Sequence, residues 1–166
     1  ILKKSGIESL QITGNISDGG HQWTMAKING KWYHFDPTWD DPETKLSNAE
    51  TPLHLNYFAL PDDVIYLTRT AHSPELMPEA YNLDENYFVK NSLVLADLSS
   101  ESLSAVARRS ANLSGHIAML CSLSVYNAIL EDSSYLWLLV GYVADDASNI
   151  SYVYDDNLKT IEIFYK

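Results

Sequence analysis

The clearest periodic signal lies in residues 19–41, where apolar and polar positions alternate on either side of Asn29-Gly30. Alternation with period two predicts strands, and Asn-Gly between two such runs predicts a two-residue hairpin loop, because a type I′ turn needs positive φ at both central residues. That loop pairs Ile28 with Lys31, Lys27 with Trp32 and Trp23 with Asp36. Downstream, Asp40 to Lys45 is a polar loop, and 54–64 reads as a strand leading into a short helix. Pro74 to Leu83, with two prolines and several polar residues, reads as a linker.

Beyond the linker the pattern changes. Tyr87 to Leu95 reads as a strand. Ser99-Ser100-Glu101 predicts a helix start, with Leu103, Val106, Ala107 and Ala111 recurring at helical spacing. Ile117 to Leu123 reads as a strand, and Tyr126, Ile129, Leu130, Trp137 and Val140 suit a broken helix, with strand as the alternative for 136–143. Residues 150–164 alternate as a second hairpin around Asp155-Asp156-Asn157. The expected class is α+β in two domains, 1–79 and 80–166, the second with order β-α-β-α-β-β.

Composition narrows the function classes. The chain of 166 residues is 46% hydrophobic and 20% charged, hence globular, with eleven basic against twenty-two acidic residues and a net charge of −11. So acidic a chain lacks the basic footprint of a nucleic-acid or anionic-lipid binder. The longest apolar run, Tyr135 to Val143, is too short to span a bilayer, so no membrane insertion is expected. One cysteine excludes an internal disulfide framework. No His or Cys pair has zinc-like spacing, and Asp36, Asp40 and Asp41 do not match a calcium loop, so neither a metal nor another cofactor is expected.

The candidate chemistry sits in the first hairpin. The register places His21, Trp23 and Asp36 on one sheet face, with His21 diagonal to Asp36 across the ladder. Diagonal neighbours lie roughly 7–8 Å apart at the backbone, a distance that long side chains span. The expected geometry has His21 donating Nδ1–H to Asp36 and aiming Nε2 away, with Pro37 holding Asp36 in extended backbone. A carboxylate-oriented imidazole is the base that a Cys or Ser nucleophile requires. An ordinary surface pair is the plain alternative.

The wording of the segment is more specific. His21-Gln22-Trp23, an apolar strand, Asn29-Gly30-Lys31-Trp32-Tyr33 and then Asp36-Pro37-Thr38-Trp39-Asp40 resemble the His and Asp motifs of the transglutaminase-like superfamily, a papain-like group. The resemblance implies a papain-like core, with His21 as catalytic base and Asp36 as its orienting acid. It implies Trp23 and Trp39 as aromatic, substrate-binding walls, although each serves equally as plain core. Residues 54–64 and 70–74 suit the closing strand and ending of such a domain. In that family the nucleophile is a Cys at the head of a helix that precedes the His, and the resemblance implies that Leu2 to Ile7 is the last turn of that helix, closed by Gly6, with Leu10 to Gly14 the strand after it; no Cys lies upstream here, and the chain opens at Ile1. By itself the chain is therefore expected to be inactive. Cys121, in an apolar run, reads as a buried structural thiol.

The resemblance thus implies part of a cysteine enzyme that transfers an acyl group from a peptide or amide bond of a protein or peptide substrate. Hydrolysis is favoured over crosslinking, and the parent is expected outside the cell or at its surface. The alternative is a non-catalytic module that holds a peptide or cell-wall fragment beside Trp23 and Trp39. A glycosidase using Asp36 with Asp40 or Asp41 fails, because neighbouring acids point apart and no second acid is suitably placed. Loss of the nucleophile helix is expected to uncover the sheet face bearing His21, favouring a homodimer or retention of the missing N-terminal segment.

Overall fold

A computed structural model describes residues 2–41 and 54–166. The fold is α+β, and the chain divides into two compact units, Ile1–Tyr87 and Phe88–Lys166.

The first unit is a five-stranded sheet in the order β4-β3-β2-β1-β5, all neighbours antiparallel. The strands are β1 (Ser9–Ile16), β2 (Gly19–Ile28), β3 (Lys31–Phe35), β4 (Phe58–Leu60) and β5 (Thr70–Ala71); the helical turns are α1 (Pro37–Asp40) and α2 (Asp62–Ile65). A 3₁₀ turn at Leu2–Ser5 precedes β1. It closes as the sequence predicts: Gly6 sits at φ 76°, and Ile7 N–H donates to the Leu2 carbonyl at 3.1 Å, a Schellman-type stop. The β2–β3 hairpin carries the predicted register, Ile28 opposite Lys31 and Lys27 opposite Trp32, with Asn29 and Gly30 both at positive φ. Between β3 and β4 the register shifts at His34/Phe35, with Ala59 at φ 56°. This bulge brings the Tyr57 main chain to Asp36.

The register sorts the side chains. His21, Trp23, Met25, His34 and Asp36 share one face, and Thr24, Ala26, Tyr33 and Phe35 share the other. Ile12, Trp23, Met25 and Ala80 form the core of the His21 face, with Tyr66 and Met77 packed on it. That face is covered at Ile12, Trp23 and Met25, whereas at His21 it opens on a groove. The open apolar surface is on the reverse face, a groove of about 610 Å³ lined chiefly by Leu2, Ala26, Ile28, Phe35, Leu55 and Phe58.

Residues 80–87, expected to open the second domain, belong to the first unit. The polar groups that look like a linker bond back to it. Ala80 N–H donates to Asp62 at 2.9 Å, Asp84 accepts from Lys31 and Tyr33, Glu85 accepts from Asn29, and Asn86 donates to the Phe58 carbonyl.

The second unit contains α3 (Tyr87–Lys90), which begins one residue before it, then β6 (Val94–Leu95), α4 (Ser100–Ser114), β7 (Ile117–Cys121), α5 (Leu123–Glu131), α6 (Ser134–Gly141), β8 (Ile150–Asp155) and β9 (Thr160–Tyr165). The sheet runs β6-β7-β9-β8, with β6 and β7 parallel. Ser99 and Ser122 cap α4 and α5 by accepting from Ser102 and Val125 N–H, as serines before a helical period should. Leu103, Val106 and Ala107 are buried against β7. Two expectations change here. Tyr87 to Lys90 is a helical turn rather than the start of a strand, and 134–141 is helix, closing the strand alternative. Of the polar loop expected at 40–45, residues 42–45 lie outside the described residues. No helix among the described residues is long and apolar enough to cross a membrane.

Candidate active site

Asp36 stands where β3 gives way to α1. Pro37 occupies the first helical position, where its missing N–H costs nothing, so it starts a helical turn rather than prolonging the strand. Asp36 itself is the N-cap of α1, at φ −127° and ψ 81°, outside the extended backbone expected ahead of Pro37. An N-cap aspartate normally turns its carboxylate onto its own helix, a bond worth about 1 kcal/mol. Asp36 makes no such bond. Its main chain is held instead: N–H donates to the Tyr57 carbonyl at 3.1 Å, and its carbonyl accepts from Trp39 and Asp40 N–H. Asp40 returns the tie by accepting from Tyr57 N–H at 2.7 Å. The Asp36 carboxylate is thereby left for other partners while its backbone is fixed, and it is fully buried.

His21 meets that carboxylate at 2.6 Å. The nitrogen that faces Asp36 is Nε2, not the Nδ1 that the sequence led us to expect. Reach explains the difference: the pair is diagonal across the ladder, and Nε2 is the more distant ring nitrogen from the backbone. A neutral imidazole bonded in this way carries its proton on Nε2, donates it to Oδ2 and bears its lone pair on Nδ1. Among the described residues Nδ1 has no hydrogen-bond partner. The His21 side chain is 12% exposed, and it lines an open groove of about 700 Å³ together with Gln11, Thr13, Gly14, Gly20, Gln22, Thr38 and His72.

A third member of the site was missed in the sequence. Arg69, 2% exposed, donates Nε–H at 3.0 Å and Nη2–H at 2.6 Å to the same Oδ2 of Asp36. Its guanidinium carbon lies 4.5 Å from the Trp39 ring centre and 4.4 Å from that of Tyr57, two rings that meet edge to face at 5.1 Å and both make cation–π contacts with it. Arg69 precedes β5, which runs along β1 at Gly14 and Asn15. A Cβ on Gly14 would come within 2.1 Å of the Thr70 carbonyl oxygen and 2.8 Å of the Trp23 ring, so only glycine admits β5 here. No spacing rule links position 69 to position 36, and a glycine inside a strand was the available hint of a close backbone approach.

Below His21 lies a second, buried relay. Trp23 stacks near-parallel to His21, with ring centres 6.3 Å apart at 16°, and donates its indole N–H to His34 Nδ1 at 2.9 Å. His34 Nε2 meets Asp62 Oδ1 at 2.7 Å, and Asp62 Oδ2 accepts from Ala80 N–H. Burial, more than any charge nearby, pushes the His34 imidazole below its ordinary range. This histidine is structural: both its nitrogens are spent. Trp23 is only 2% exposed, which places it in the core beneath His21 rather than in a wall open to substrate. Trp39 is half-buried and edge-on to His21 at 6.4 Å.

The remaining candidates carry no chemistry. Cys121 ends β7 in the second unit, buried, and burial pushes its thiol up to about 12. It behaves as a small apolar group rather than a nucleophile. Arg108 and Arg109 lie on the exposed face of α4, and Tyr152 and Tyr154 are exposed on the edge strand β8. Among the described residues no group of three or more His, Cys, Asp or Glu side chains is placed to hold a metal.

Compared with known proteins, the chain matches no protein-family model, and no curated protein matches it.

Proposed function

We propose that this chain supplies the general base and its orienting acid to a transglutaminase-like cysteine enzyme acting on peptide or amide bonds. The observation that carries the reading is the 2.6 Å contact of His21 Nε2 with Asp36, which leaves Nδ1 as the ring's basic nitrogen on a polar groove. In that role Nδ1 takes the proton of a thiol, and the thiolate attacks the amide carbonyl. The imidazolium then returns the proton to the departing amine, which leaves an acyl-enzyme. Water as the second acceptor completes hydrolysis, and an amine completes crosslinking; hydrolysis is favoured. The nucleophile is not among these residues, since the chain's single cysteine, Cys121, is buried in the second unit.

The test uses the polypeptide as its gene encodes it. A peptide amide bearing a thiol-directed electrophile is expected to attach to a cysteine other than Cys121, and peptide-amide turnover to release free acid in excess over amine-coupled product. Absence of both labelling and turnover would leave this reading without support.

A further inference from the structure

The Asp36 carboxylate is buried, and its own helical turn does not hold it, because it makes no capping bond. Of its two oxygens only Oδ2 is hydrogen-bonded among the described residues; Oδ1 is buried without a partner. Left to itself, such a carboxylate has every reason to rotate and to satisfy its second oxygen. What stops it is the fork of Arg69, with Nε at 3.0 Å and Nη2 at 2.6 Å both on Oδ2, the oxygen that His21 Nε2 also meets at 2.6 Å.

The guanidinium is immobilised in turn. Trp39 and Tyr57 face it at 4.5 and 4.4 Å, and Nη1 donates to Thr68 Oγ1 at 2.5 Å. Its main chain is fixed by β5, which Gly14 admits onto the strand directly opposite His21. A planar, always-charged fork lying against two aromatic rings suits this task better than a flexible ammonium.

We propose that Arg69 is a positioning residue for the His21–Asp36 pair. It pins Oδ2, so that His21 keeps its proton on Nε2 and its ring orientation, with Nδ1 as the open nitrogen. The inference rests on His21 as the base, but its test reads the ring of this chain alone, so its failure leaves the acyl-transfer reading to its own experiment.

The experiment is proton–nitrogen NMR of the imidazole N–H groups in the 166-residue chain and in the variants Arg69→Gln and Arg69→Lys. In the parent chain, His21 and His34 each show a slowly exchanging Nε2–H. In Arg69→Gln the His21 Nε2–H is expected to exchange at least about tenfold faster, the loss of roughly one charged hydrogen bond, while His34 keeps its rate and reports an intact core. Arg69→Lys retains the countercharge without the fork, and is expected to fold and to show the same selective loss at His21. If Arg69→Gln does not fold, the Lys variant decides. Unchanged exchange at His21 in a folded variant overturns the proposal, and so does failure of both variants to fold, which makes Arg69 purely structural.

Discussion

At His34 the directions of the hydrogen bonds fix the protonation state. Nδ1 accepts from the Trp23 indole, so the ring's proton sits on Nε2 and points at Asp62. A second proton would have to enter at Nδ1, against the Trp23 N–H, and burial opposes the charge as well. The folded-state value of His34 is therefore lowered below that of the unfolded chain, near 6.5. Stability is complete above that value and falls as pH drops towards the folded value, because the unfolded chain binds a proton that the folded chain refuses. For this one proton the slope approaches about 1.4 kcal/mol per pH unit. Urea denaturation from pH 7.5 to 5 is expected to show a steeper loss in the parent chain than in His34→Asn; equal slopes would remove His34 as the cause. At this scale the sequence named the right partners and the wrong atom, placing Nδ1 rather than Nε2 on Asp36. A hairpin register names which side chains meet, hence His21 with Asp36, but not which ring nitrogen faces the acid.

Among the elements, β5 is the shortest of the first sheet and the one on which the site most depends. Two residues, Thr70 and Ala71, pair with β1 and bring Arg69 to Asp36. Gly14→Ala puts a methyl group onto the Thr70 carbonyl and the Trp23 ring, and backbone cannot yield as a side-chain tip does. The expected cost is about 1–3 kcal/mol, the usual range for overpacking, measured by chemical denaturation; a variant as stable as the parent would show that β5 shifts freely. Elements announced by local chemistry were legible: the Asn29-Gly30 loop, the Gly6 stop and the serine cap of α4; the Ser122 cap of α5 was not, because 117–123 reads as one strand. Elements set by distant contacts were not. Tyr87 to Lys90, rich in aromatic and β-branched residues, reads as strand yet folds as a helical turn. Residues 74–83 read as a linker, yet Ala80 N–H is bonded to Asp62, and just beyond it Asp84 is bonded to Lys31 and Tyr33, partners that only the fold places there. Arg69 belongs to the same class, since its partner lies 33 residues away.

For the molecule as a whole, the candidate site lies within the first unit. The second builds its core from Leu95, Leu103, Ile117, Met119, Ile129, Leu139, Ile161 and other apolar side chains, and buries the chain's one thiol. With a net charge of −11 the chain lacks the basic surface that nucleic acid requires. The proposed reaction depends on one imidazole, that of His21. Its most direct measurement is peptide-amide turnover by the gene's full polypeptide, with His21→Ala compared against the parent at saturating substrate. A general base contributes about 10²–10⁴-fold, so the turnover rate is expected to fall by that factor while Cys121→Ala leaves it unchanged. Turnover in His21→Ala at the parent rate would contradict the account.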